Sequence, residues 1–133
     1  MGTTDLWIAA RAGGGPPPGY EWTVRYDPSI RDEALAVLDN DAQLDHVIMQ
    51  VRELAREKDP THPLTQSVDA IETFHELRLK GGPLGKKNVR VFFFVDKVSH
   101  EIVLLGIYLK TNDGSTRTHV KVQMRNRLRR LVT

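Results

Sequence analysis

The sequence predicts an α+β domain in which a helical hairpin covers one face of an antiparallel sheet of about four strands. Two observations lead to this prediction. Apolar residues recur at helical spacing between residues 29 and 57, and three strand-like runs then follow one another closely between residues 74 and 110. A last helical pattern closes the chain. The predicted order of elements is therefore strand, helix, helix, three strands and helix.

The composition fits a single globular domain. The chain has 133 residues, of which 40% are hydrophobic and 27% are charged. This apolar content is enough for one core, and the length makes a second domain unlikely. It has no cysteine, which excludes a disulfide framework, a cysteine zinc site and a thiol nucleophile. The longest apolar runs are too short to span a membrane, and the start does not have the pattern of a signal peptide. We therefore expect a cytoplasmic protein.

The charges divide the chain into two halves. Residues 1–74 carry 6 Lys and Arg against 13 Asp and Glu, a net charge of −7, whereas residues 75–133 carry 13 against 4, a net charge of +9. This asymmetry favours a polyanion or an acidic partner for the basic half. The alternative interpretation is that solvent-facing charges simply segregate along the chain.

The N-terminal part predicts an extension, a strand and two helices. Residues 1–19 end in AGGGPPPG, which favours a flexible extension. Residues 22–26 alternate between apolar and polar types, as in a half-buried strand. Ser29 is the expected N-cap of a helix through about Leu38. A second helix with one apolar side follows and ends before Pro60.

Three strands are predicted in the basic half, at residues 74–80, 88–95 and 102–110. Residues 81–85 join the first two strands, and residues 96–100 join the last two. Both connections are short and suit antiparallel hairpins. The second strand contains VFFFV, which is apolar on nearly both sides and therefore indicates a central strand.

Alternation along these strands separates apolar from basic side chains. Because alternate residues of a strand share a face, Arg78 and Lys80 lie with Glu76, opposite Leu77 and Leu79. We expect one face of the sheet to form the core and the other to be basic. The basic face or its rim is predicted to hold Arg78, Lys80, Arg90 and Lys110.

The last helix is predicted after a turn at residues 112–114, with its cap among residues 115–118. It carries an apolar stripe and, beside it, a basic ridge. Like charges four residues apart repel unless something neutralises them. The ridge is therefore interpreted either as a solvated helix face or as a contact for phosphate or a partner. The ridge consists of Arg117, Lys121, Arg125 and Arg129.

Several catalytic motifs are excluded. GGPLGKK at residues 81–87 is unlike a P-loop, because Lys80 stands where the first glycine belongs, Lys87 replaces Ser or Thr, and a strand follows. The five histidines have no ligand spacing, and no serine lies in a Gly-x-Ser-x-Gly elbow. The sequence predicts neither a metal site nor a cofactor.

Three segments resemble the RelE/ParE toxin superfamily, in particular its HigB-like and phage-related branch. FHELRLK, VRVFFFVD and IVLLGIYLKT are similar to the "ELR", "RVFYF" and "LLHGFxKKT" segments of that branch in order and spacing. The resemblance covers roughly residues 20–131. It implies a RelE-like fold and a toxin domain for residues 20–133.

The resemblance also implies a function. Members of this branch are toxins of type II toxin–antitoxin systems that cleave mRNA on the ribosome without a metal and so stop translation. The implied partners are a cognate antitoxin, a small helix-turn-helix protein, and the ribosome with its mRNA; no membrane and no small-molecule cofactor take part. In the implied reaction the RNA 2′-hydroxyl attacks the neighbouring phosphate, which requires cations around the phosphorane and a proton acceptor.

The candidate site residues follow from the matched segments. Arg78 matches the arginine of "ELR", Arg90 that of "RVFYF" and Lys110 one lysine of "KKT", and we add Lys80 to this phosphate-handling set. A single lysine stands where the branch often has two, and the general acid is left unassigned. Each arginine has the alternative of an ordinary ion pair, for example Arg78 with Glu76. The candidate RNA-binding residues are Lys86, Lys87, Tyr108, Arg117, Lys121 and Arg125.

Two other classes of function remain open from the sequence. A ParE-like gyrase poison would share the fold without cleaving RNA. A non-enzymatic phage or host binding module would use the same basic face to hold an acidic protein or a nucleic acid.

Overall fold

A computed structural model describes residue 8, residues 11–111 and residues 116–132 of the chain. Within these residues the protein is an α+β domain with a five-stranded mixed sheet and three α-helices. The predicted turn at residues 112–114 and the candidate cap at residue 115 lie outside the described residues. The helices are α1 (Ser29–Val37), α2 (Asp41–Arg56) and α3 (Thr118–Val132). The strands are β1 (Thr23–Tyr26), β2 (Ser67–Ala70), β3 (His75–Leu79), β4 (Asn88–Asp96) and β5 (Glu101–Lys110).

The sheet differs from the predicted one in two respects. Its strand order is β1-β5-β4-β3-β2, and β1 pairs with β5 in parallel, while all other pairs are antiparallel. The expectation of an antiparallel sheet of about four strands was therefore wrong for the direction of β1 and for the number of strands. The additional strand, β2, has the sequence SVDA with exposed or half-buried side chains, so it shows neither the length nor the alternation that identifies a strand.

The helical hairpin of α1 and α2 covers one face of the sheet, as predicted. Buried residues of α2, such as Val51 and Leu54, belong to the same core as Leu77, Val91 and Phe93 of the sheet. The apolar stripe of α2 thus faces the strand face that alternation assigned to the core. No helix among the described residues is both long enough and apolar enough to cross a membrane.

The start of α1 corrects one detail of the sequence interpretation. Pro28, not Ser29, precedes the first helical residue. The Ser29 amide donates a hydrogen bond to Oδ1 of Asp27 at 2.9 Å, so an aspartate two residues earlier satisfies this free N–H group. For α2 the cap is conventional, since the Asn40 side chain accepts from the Gln43 amide.

One residue of the N-terminal extension lies in the core. Ile8 is buried, and its backbone exchanges hydrogen bonds with Val24 in both directions, at 3.0 and 2.9 Å. Ile8 therefore pairs antiparallel with the outer edge of β1.

Helix α3 covers much of the second face, which makes that face less basic than predicted. Val120, Met124 and Leu128 form a second core with Phe92 and Leu105. Close approach is possible at Gly106 of β5, where a Cβ atom would come within 3 Å of the Met124 and Arg127 side chains. Of the basic residues predicted for this face, Arg78 is exposed, Arg90 is half-buried and Lys110 is buried.

Candidate functional site

Three adjacent strands bring part of the predicted phosphate-handling set together. Arg78 of β3 is the register partner of Arg90 of β4, and Arg90 is the partner of Tyr108 of β5. Lys110 pairs with Asn88 one step further along the same face. Arg90 lies two residues before Phe92 on the same face of β4, the face that forms the second core with α3. We call Arg78, Arg90 and Lys110 the basic rim.

Arg90 is held by a buried carboxylate. Its Nε lies 2.7 Å from Oε1 of Glu76, and the two side chains are 12% and 1% exposed. Neither atom has an aligned hydrogen-bond partner among the described residues, so the contact is an ion pair without hydrogen-bond geometry. Oε2 of Glu76 accepts a bond from the Thr116 hydroxyl at 3.2 Å. Glu76 therefore joins the rim to the residues just before α3.

Arg78 forms a much more exposed ion pair. Its Nη2 lies 2.5 Å from Oδ2 of Asp69 in β2, and the two side chains are 41% and 48% exposed. The sequence suggested Glu76 as the partner of Arg78, but Glu76 binds Arg90 instead. Exposed ion pairs contribute at most about 1 kcal/mol. Arg78 can therefore exchange Asp69 for another anion at little cost.

Among the described residues, Lys110 is the rim cation that contacts no carboxylate. It is only 8% exposed, and within residues 11–111 and 116–132 it forms no ion pair. A charged group that is largely covered by protein costs free energy unless a partner compensates it. A buried lysine that has no ion pair within the described part of the chain is therefore a candidate for a functional role.

Lys80 does not join the rim. It follows the last residue of β3, is exposed, and lines a cleft together with His46, Gln50 and Arg78. The alternation rule assumed that the strand continues to Lys80, but β3 ends one residue earlier, at Leu79.

Two of the predicted RNA-binding residues are held within the protein. Nζ of Lys87 donates to the carbonyl of Val37 at 2.8 Å and lies 3.1 Å from Asp39, so Lys87 ties the β3–β4 loop to the end of α1. Arg125 donates two hydrogen bonds to Glu72, at 2.9 and 2.6 Å. The hydrogen bonding by Arg125, together with its positive charge, lowers the pKa of Glu72.

The other predicted RNA-binding residues remain accessible to different degrees. Lys86 is exposed on the β3–β4 loop, and Arg117 is exposed just before α3. Lys121 and Tyr108 are half-buried, and Tyr108 packs against the second core under α3. Lys86, Arg117 and Lys121 form no ion pairs among the described residues.

The charge asymmetry of the sequence is neutralised in part within the chain. In α3, Arg127 lies 2.8 Å from Glu33, and Arg130 lies 2.5 Å from the fully buried Asp27. Burial acts to raise the pKa of Asp27, but the hydrogen bonds from Ser29 and Arg130 hold it below its ordinary value. The acidic partner expected for the basic half is thus partly the acidic half itself. Further pairs of this kind are Arg125–Glu72, Lys87–Asp39 and Arg78–Asp69.

The charged groups that the site offers are arginine, lysine and glutamate side chains. No group of three or more His, Asp or Glu side chains within the described part of the chain is arranged to hold a metal ion. Comparison with protein-family models, curated proteins and solved structures gives no match to this chain.

Proposed function

We propose that the protein is a metal-independent, ribosome-dependent mRNA endoribonuclease and the toxin of a toxin–antitoxin pair. The observation that carries this proposal is the basic rim. Its three cations lie on one face, at the same end of three adjacent strands, and they are the residues that the sequence resemblance assigns to phosphate handling. The predicted element order also agrees with the structure, apart from the additional strand β2.

The rim residues suit different parts of the reaction. Attack of the RNA 2′-oxygen on the adjacent phosphorus breaks the bond to the 5′-oxygen and leaves a 2′,3′-cyclic phosphate. Arg90, oriented by Glu76, is a preorganised charge for the phosphorane. Arg78 is accessible enough to bind the phosphate of the incoming RNA. Lys110 adds the third positive charge of the rim beside the phosphorane. The acceptor of the 2′-hydroxyl proton and the donor of a proton to the leaving 5′-oxygen are left unassigned.

A binding module without catalysis is the second candidate. It is favoured by the ion pairs of Arg78 and Arg90, which reduce the net charge of the rim. Lys87 and Arg125 are likewise occupied by carboxylates. A surface with this much internal compensation can hold an RNA or an acidic protein without stabilising a phosphorane.

The test compares the wild-type chain with Lys110→Met during induced expression in bacteria. The variant keeps an unbranched side chain of similar length and removes the ammonium. We expect the wild type to stop growth and to produce mRNA cleavage within codons, mapped by primer extension. Loss of one charge contact to the transition state lowers such a rate on the order of a hundredfold, so Lys110→Met should permit growth.

The control is Lys97→Met, because Lys97 is exposed on the β4–β5 turn, at the opposite end of these strands. Cleavage by the control at the wild-type rate is expected. Intact mRNA together with DNA damage would overturn the proposal in favour of a gyrase poison. Soluble wild-type protein with neither effect would favour the binding module.

A further inference from the structure

A cleft beside the basic rim has no role in the proposed reaction. It has a volume of about 280 Å³ and opens between α2 and the end of β3, next to the start of β2. Its walls include His46 and Gln50 of α2, Gln66 and Ser67, and Arg78 and Lys80.

The walls of this cleft are fixed by specific contacts. Nε2 of Gln66 donates to the backbone oxygen of Gln50 at 2.8 Å and to its side-chain oxygen at 3.0 Å, which ties the segment before β2 to α2. Oε1 of Gln66 has no hydrogen-bond partner among the described residues. Gly82 lies next to the imidazole ring of His46. A Cβ atom added at Gly82 would be 3.6 Å from Cε1 of that ring.

The lining has the chemistry of an anion site with additional hydrogen-bonding groups. Its described lining contains a lysine, a histidine and an arginine, and this arginine, Arg78, is paired with the exposed Asp69. Guanidinium and ammonium groups bind phosphate. Amide groups bind the edges of bases, and an imidazole can stack on a base. The volume lies just below the usual range for small-molecule sites, so the cleft suits a single nucleotide more than a duplex.

We infer that this cleft binds one phosphorylated nucleotide of single-stranded RNA, with its phosphate toward Arg78 and Lys80 and its base toward His46 and Gln50. This inference rests on the proposed function, because RNA is the substrate proposed there. Arg78 belongs to both the cleft and the basic rim. A nucleotide in the cleft is therefore next to the phosphate that the rim handles, and the cleft can select the base on that side.

The test measures binding of 5′-AMP and of inorganic phosphate to the purified full chain by NMR, through the imidazole C–H signals. The imidazole signal that is absent from the spectrum of His46→Gln is assigned to His46. We expect 5′-AMP to shift it, and we expect His46→Ala, Gln50→Ala and Lys80→Ala each to weaken binding about tenfold, as for loss of a charged or polar contact. Lys58→Ala, at an exposed lysine outside the cleft, is the control.

Two results would overturn the inference. One is 5′-AMP binding that leaves the His46 signal unchanged. The other is equal affinity for inorganic phosphate and 5′-AMP, which would show an anion site without a base pocket. Circular dichroism melts establish whether each variant is folded. If His46→Ala does not fold, Gln50→Ala serves as the second variant.

The same assays separate this inference from the proposed function. If 5′-AMP binds at the cleft and the wild-type chain cleaves no mRNA, the nuclease proposal fails and the cleft assignment stands. If the chain cleaves mRNA but 5′-AMP does not shift the His46 signal, the cleft assignment fails and the nuclease proposal stands.

Discussion

Glu76 and Arg90 face each other from β3 and β4 as a charge pair 2.7 Å apart, with Glu76 almost fully buried. Two residues further along β3, Arg78 forms a pair with Asp69 that is open to solvent. The sheet therefore contains two ion pairs of the same chemistry in different surroundings, and their energetic contributions should differ accordingly.

Removing the charge of Glu76 should strongly destabilise the fold. Glu76→Gln keeps the shape of the side chain but leaves Arg90 without a counter-charge, and breaking a buried pair typically costs about 3–5 kcal/mol. Asp69→Asn, the matched change in the exposed pair, should cost less than about 1 kcal/mol. Urea unfolding of both variants gives the comparison. Equal losses of unfolding free energy would show that burial does not distinguish the two pairs.

Lys86 and Lys87 are neighbours in the sequence with opposite expected roles. Lys87→Ala removes a charged hydrogen bond to Val37 and an ion pair with Asp39, so it should lower the unfolding free energy by about 1–2 kcal/mol. Lys86→Ala should change stability by less than about 0.5 kcal/mol. The effect on RNA affinity should be the opposite: Lys86→Ala should weaken RNA binding and Lys87→Ala should leave it unchanged. Fluorescence anisotropy of a labelled single strand measures this affinity. A loss of RNA affinity in folded Lys87→Ala would contradict this assignment.

His75 should make the fold less stable in mild acid. Burial lowers the pKa of His75, and the charge of His62 lowers it further. Because the folded-state pKa lies below the unfolded value of about 6.5, the unfolded chain binds more protons below that pH. This contribution is complete above about pH 6.5 and is lost as the pH falls toward the folded-state pKa.

The measurement is the urea midpoint between pH 5 and pH 8. His75→Phe keeps an aromatic ring near Phe93, whose centroid lies 5.8 Å from that of His75. The midpoint of this variant should depend less on pH than that of the wild type. Parallel pH profiles of the two proteins would assign the acid sensitivity to other groups.

Gly106→Ala should destabilise the contact between α3 and the sheet. The new Cβ would lie 2.5 Å from Cε of Met124 and 2.7 Å from Nη1 of Arg127, and both side chains are buried. Overpacking of this kind costs about 1–3 kcal/mol. Thermal unfolding followed by circular dichroism measures the effect. A melting temperature equal to that of the wild type would show that α3 moves away from β5 at little cost.

Much of this fold was readable from the sequence because it depends on local patterns. The alternation in FHELRLK and VRVFFFVD assigned Leu77 and Phe93 to the core face correctly. The stripe of α2 assigned Val51 and Leu54 in the same way. Each pattern repeats with the period of its own helix or strand, so it can be recognised without knowing which other elements pack against it.

The features that were missed depend on distant parts of the chain. The parallel pairing of β1 with β5 joins residues 23–26 to residues 101–104, and no local signal specifies it. The same holds for the candidate site. Alternation placed Glu76 on the basic face, but only the side-chain contacts of the folded sheet show that it binds Arg90 and not Arg78. Likewise, the sequence GKKNV does not show that Lys87 binds the end of α1 while Lys86 is exposed.

The pairing of the first strand with the last also constrains the order of assembly. Thr23 meets Glu101, so the sheet cannot close on that side until about eighty further residues have been synthesised. Such a non-local contact raises the contact order of the chain and slows folding. Until then, the nascent acidic half lacks the arginines of α3 that later bind Glu33 and Asp27. During translation the incomplete domain is therefore strongly anionic, which favours its solubility until the basic half emerges to complete it.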